Sequence, residues 1–80
     1  MTNRATMDHP RISSDPEVLL GKPCIVGTRI SVQHILNMLA AGSTRSDILD
    51  GFEQLSDADI SAALWYAADR LGPANRQAAE

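Results

Sequence analysis

Eighty residues are enough for one domain and not for two. A net charge of −3 weighs against strong nonspecific nucleic-acid binding, and a lone cysteine, Cys24, excludes any disulfide within the chain. No apolar run approaches the roughly 20 residues that a membrane span needs, and Cys24, His9 and His34 lack the paired spacing of a metal site.

In chain order, residues 1–9 are polar and are expected to form a disordered leader, with no export signal, which places the protein in the cytoplasm. Residues 10–31 read as an extended arm or small hairpin. Arg11-Ile12-Ser13 is too short to define a strand, and Asp15-Pro16 and Gly21-Lys22-Pro23 are turn signals. Cys24-Ile25-Val26 is a short β-prone run, Gly27 supplies a bend, and residues 28–31 return as a second strand. Ser31 then caps a first helix with apolar positions Val32, Ile35, Leu36 and Leu39, which Gly42 ends. Thr44 caps a short second helix whose inner side is Ile48, Leu49 and Phe52. Ser56 caps a third, with Asp59 three positions on in a variant capping box. Spacing predicts that Ile60, Ala63, Leu64, Ala67 and Leu71 form its core face, before Gly72-Pro73 stops it. The expected fold is mainly α: a three-helix, helix-turn-helix (homeodomain-like) core over residues 10–71, behind a short N-terminal β-hairpin or extended arm, with a flexible tail at 72–80.

No Ser-His-Asp, Cys-His or paired-carboxylate pattern suggests catalysis, so neither an enzyme nor a cofactor is expected. Cys24, after Pro23 and before Ile25, reads as a buried inert thiol, and His34 as a surface imidazole. Basic groups lean toward the N-terminal half. Residues 1–31 carry Arg4, Arg11, Lys22 and Arg29 against three acids, whereas residues 32–80 carry Arg45, Arg70 and Arg76 against seven. Any DNA contact is therefore assigned to Arg11, Lys22, Arg29 and Arg45. Lys22 and Arg29 could grip a phosphate or an acidic pocket on a partner; for Lys22 that role and a structural one weigh equally, and for Arg29 the favoured role is structural, pairing with a carboxylate or capping a helix C-terminus. The third helix would be the reading helix of a trihelical DNA binder, yet it opens on Asp57 and Asp59, which favour the helix dipole and repel phosphate. Trp65 and Tyr66 are adjacent and cannot both face the core. Their type suits a protein-binding anchor, with Arg70 and Arg76 nearby to lay a guanidinium against partner carboxylates.

The order Asp15-Pro16, Gly21-Lys22-Pro23, Gly27-Thr28-Arg29 and Val32, followed by Gly42, Ser56 and Tyr66-Ala67, resembles the bacterial family known as domain of unknown function 433, described as VapB-like antitoxins. Leu20 stands where that pattern often has a second glycine, and Val26 where it often has a basic residue. The resemblance implies a helix-turn-helix fold, a PIN-like ribonuclease toxin as partner, and autoregulation by binding operator DNA. The expected function is that of an antitoxin, as a homodimer whose extra contacts supplement a small core. The rivals are a stand-alone DNA-binding regulator and a pure dimerisation module.

Overall fold

The computed structural model describes residues 9–72. Two short strands, β1 (Ile12–Ser13) and β2 (Cys24–Ile25), precede three helices, α1 (Val32–Ala40), α2 (Arg45–Gly51) and α3 (Asp57–Leu71). The strands pair antiparallel, Ile12 opposite Ile25 and Ser13 opposite Cys24. So Ile12-Ser13, too short to define a strand alone, becomes one because β2 satisfies its backbone. The expected return after Gly27 also forms, as a single bridge between Cys24 and Ser31. Gly27 makes that bend at φ +81°, and the Thr28 hydroxyl secures it, donating to the Ile25 carbonyl at 2.9 Å and accepting from the Ile30 amide at 3.0 Å.

Each helix starts where its cap predicts. Ser31 Oγ accepts from the His34 amide at 2.9 Å. Thr44 and Ser56 both form full capping boxes with Asp47 and Asp59. An N-cap of this kind contributes about 1 kcal/mol. Gly42, at φ +105°, turns the chain out of α1. The core gathers Ile12 and Ile25 from the strands, Ile30, Val32 and Ile35 around the start of α1, Ile48 from α2, and Leu55, Ile60, Ala63 and Tyr66 around α3.

Two expectations need correction. First, α3 is rotated relative to its predicted face. Asp59, Ile60, Ala63 and Tyr66 are buried, whereas Leu64 is 39% and Leu71 91% exposed. The helix is apolar on too many sides for spacing to choose one; the Tyr66 ring and the Asp59 cap take the inner positions. Second, His9 does not belong to a leader. Its Nε2 lies 2.8 Å from Asp69 Oδ2 with both side chains largely buried, and its ring meets Tyr66 edge-on at 5.3 Å. His9 thereby docks on α3. The rest of the predicted leader and all of the tail beyond Gly72 lie outside the described residues.

Before β2, Leu19 and Leu20 adopt φ of +50° and +58°, followed by Gly21 at +87°. A left-handed backbone costs a non-glycine residue about 1–2 kcal/mol, and Leu20 offsets none of it by burial, being 95% exposed. This is the position where the resembled pattern often carries glycine. Leu20→Gly is expected to raise stability by about 0.5–1 kcal/mol, the relief exceeding the extra entropy of a glycine in the unfolded chain. Urea unfolding checks this; a lower midpoint would contradict the strain.

Candidate interaction surface

Three regions hold the residues singled out from the sequence. The first is the start of α3. Arg11 Nη1 donates to Asp59 Oδ1 at 3.0 Å, while Asp59 Oδ2 accepts from the Ser56 amide at 3.0 Å. One buried carboxylate thus both caps α3 and ties it to the residue before β1. Beside it, Arg45 Nε donates to Asp57 Oδ1 at 2.8 Å, and its Nη2 donates to the Asp57 carbonyl and to Ser61 Oγ. The hydrogen bond from Arg45 lowers the Asp57 pKa, desolvation opposing it and the Arg45 charge adding to it; the same bond raises the Arg45 pKa. Arg11 and Arg45, both assigned to DNA, are therefore engaged with the two acids that open α3.

The second region is an open cleft of about 610 Å³ that brings the other two candidates together. Lys22 and Arg29 line it with Asp15, Phe52 and Gln54. Among the described residues, Lys22 Nζ reaches a neutral partner, Gln33 Oε1 at 3.3 Å. Arg29 is exposed, and no ion pair or hydrogen bond engages its guanidinium among the described residues, so the structural role expected for it is not realised. Cys24 also lines the cleft but is buried, its thiol donating to the Lys22 carbonyl at 3.3 Å. Burial pushes its pKa up against the opposing pull of the Arg29 charge, as an inert thiol requires.

The third region is the outer side of α3. Tyr66 is 6% exposed and belongs to the core, so it is not the surface anchor expected of it. Its ring also carries the Arg70 guanidinium, 5.6 Å from the centroid; this local contact, not a free cation, is what Arg70 offers. Arg76 lies outside the described residues. Trp65 stays half exposed and borders a shallow depression with His9, Arg11 and Ala62. Leu64, Ala68 and Leu71 run beside it at i, i+4 and i+7, all exposed. Leu71 in turn edges a groove of about 350 Å³ between α1 and α3, floored by Pro23, Val32, Leu36 and Ala67, with Lys22 on its rim. Leu71 thus belongs both to the exposed row and to the groove, and Lys22 both to the groove and to the cationic cleft.

The family described as "Protein of unknown function (DUF433)" matches residues 12–67. The chain belongs to the DUF433 family. Its fold is shared with a crystallised DUF433 member from Anabaena variabilis ATCC 29413, at a TM-score of 0.75 and 27% identity over 98% of this chain and 77% of that one. No curated protein matches the chain. Three helices behind a short antiparallel hairpin are thus the DUF433 architecture, as the sequence predicts. Neither comparison names an activity. Among the described residues no cluster of His, Cys, Asp or Glu is arranged to hold a metal, and no helix is long and apolar enough to cross a membrane.

The pairs Arg11–Asp59 and Arg45–Asp57 left no signal in sequence, since they join residues far apart along the chain. Had they been visible, Arg11 and Arg45 would not have been grouped with Lys22 and Arg29.

Proposed function

We propose that this DUF433 protein is the antitoxin of a type II toxin–antitoxin pair, binding a PIN-like ribonuclease in the cytoplasm and covering its nuclease site. The resemblance in motif order to VapB-like antitoxins supplies the partner. The observation that favours a protein over DNA is the character of α3: its first turn presents Asp57 and Asp59, already engaged with Arg45 and Arg11, and its outer side presents Leu64, Trp65 and Leu71. A DNA-reading helix places arginine, lysine or amide side chains at those first turns. Contiguous exposed apolar residues mark a protein interface. The chain performs no chemistry of its own in this reading and needs no cofactor.

The experiment is coexpression with the PIN-like product of an adjoining reading frame. The nuclease alone arrests growth and cuts RNA; together the two restore growth and elute as one complex. If the pair forms no complex while the chain alone retards an operator fragment, the stand-alone regulator replaces this reading. Dimerisation is a separate part of the proposal. The two-residue strands are too short to pair through an edge, so support for a second copy rests on the small core and the exposed apolar residues. Light scattering is expected to give about twice the 8.6 kDa of one chain; a clean monomer removes the dimer and leaves the antitoxin role standing.

A further inference from the structure

We infer that the groove between α1 and α3 receives Leu20 of a second copy of this chain, whose own groove receives Leu20 in return; the inference rests on the dimer part of the proposed function and names the contact within it. The groove, of about 350 Å³, is floored by Pro23, Val32, Leu36 and Ala67. Leu36 and Ala67 are only partly buried, so apolar surface in the floor meets water, and an apolar occupant would remove it. Lys22 and Arg70 are the charged residues of the lining, and no acid stands among its described residues. Two cations around an apolar floor suit an occupant that joins aliphatic side chains to carboxylates.

The turn over residues 15–21 has that chemistry. It carries Asp15 and Glu17 and no basic residue, and it holds Leu19 41% and Leu20 95% exposed. Its backbone is already braced. Val18 N donates to the Asp15 carbonyl at 2.8 Å, Gly21 N to Val18 at 3.0 Å and Lys22 N to Leu19 at 3.1 Å, and the Glu17 amide donates to Asp15 Oδ1 at 2.9 Å. A braced turn loses little freedom on docking. In the isolated chain the positive φ of Leu19 and Leu20 is offset by no burial of Leu20; a second copy's groove supplies that burial. Leu20 does not fill its own groove, although Pro23, three residues on, is part of it. At most about 11 Å of chain separates the two. A two-fold contact uses the same patch on both sides, so turn and groove, lying this close, meet twice and the pair closes.

The test measures the dimer Kd by sedimentation equilibrium for the wild-type chain, Leu20→Gly and Ala67→Phe, each confirmed folded by circular dichroism, and for the two variants mixed. Each variant alone is expected to weaken the dimer by about 100-fold or more, because both contacts are lost and one buried leucine is worth roughly tenfold or more. Mixed one to one, the variants should associate more tightly than either alone. Leu20 of the Ala67→Phe chain still enters the unaltered groove of the Leu20→Gly chain, whereas a loss from misfolding or from a contact elsewhere is not restored by mixing. Glu17→Lys should weaken the dimer by roughly threefold to tenfold, and Arg70→Glu added to it should restore part of that loss. At concentrations below the Kd, Leu20→Gly should keep its urea midpoint at or above wild type, which separates association from folding. A dimer of wild-type strength from Leu20→Gly overturns the inference, as does a mixture that restores nothing. If the wild-type chain stays monomeric, the dimer and the inference fall together; if it dimerises and only the variant results fail, the dimer stands on another face.

Discussion

Ile60→Ala is expected to cost about 3–4 kcal/mol, whereas Leu64→Ala and Leu71→Ala, on the same helix, should each cost about 0.5 kcal/mol or less. Ile60 has no exposed surface and sits among the residues that join α3 to the rest of the core. Truncating it removes three buried carbons and leaves a cavity that flanking Ala63 and the helix backbone cannot fill. A domain this size has a total stability of order 4–12 kcal/mol, so Ile60→Ala removes a large share and leaves a fraction unfolded at 37 °C. Leu71 stands almost wholly in water and Leu64 is 39% exposed, both outside the core cluster, so their truncation opens no buried cavity. Urea denaturation of the three variants reads the rotation of α3 directly. Comparable losses at positions 60, 64 and 71 would mean that the helix faces the core as its spacing suggested, and that the exposed strip does not exist.

That contrast also marks what the sequence could carry. The starts of all three helices were legible because a cap is local: Ser31, Thr44 and Ser56 satisfy amides three residues on, and no distant contact is needed to place them. The bends at Gly27 and Gly42 were legible because positive φ selects glycine. The rotation of α3 was not, because alanines and mixed apolar residues on several sides leave periodicity without a preferred direction, and the outcome depends on where the Tyr66 ring and the Asp59 carboxylate find partners. Nor was β1, whose two residues acquire strand geometry only from β2. For the surface, residue types were legible and their engagement was not. Arg11, Arg29, Arg45 and Arg70 look alike in sequence; what separates Arg29 is that Arg11 and Arg45 meet Asp59 and Asp57 through the tertiary fold, while Arg70 lies over Tyr66 within its own helix. That Trp65 and Tyr66 could not both face the core was legible, but which of them stayed at the surface depended on the same rotation.

Trp65→Ala is expected to weaken binding to the nuclease partner by about 2 kcal/mol or more, and by more than Arg70→Ala or Arg76→Ala. Half of Trp65 is accessible in the isolated domain, and it stands outside the cluster that stabilises the fold, so its loss spares the core while removing the largest apolar side chain on the surface. A partner covering it removes that indole face from water, and the neighbouring Leu64 and Ala62 keep water from its edges, which is the arrangement in which one residue dominates an interface. Arg70 contributes less because its guanidinium already lies on Tyr66 and stays solvated, where a charge contact is worth under about 1 kcal/mol. Isothermal titration of the nuclease with each folded variant separates the cases. Wild-type affinity from Trp65→Ala would remove the outer strip of α3 from the interface and leave the cleft of Lys22 and Arg29 as the contact. Equal losses from Trp65→Ala and Arg29→Ala would instead mean that the partner spans the strip, the groove at Leu71 and the cleft together, the path along which Leu71 and Lys22 already join the three.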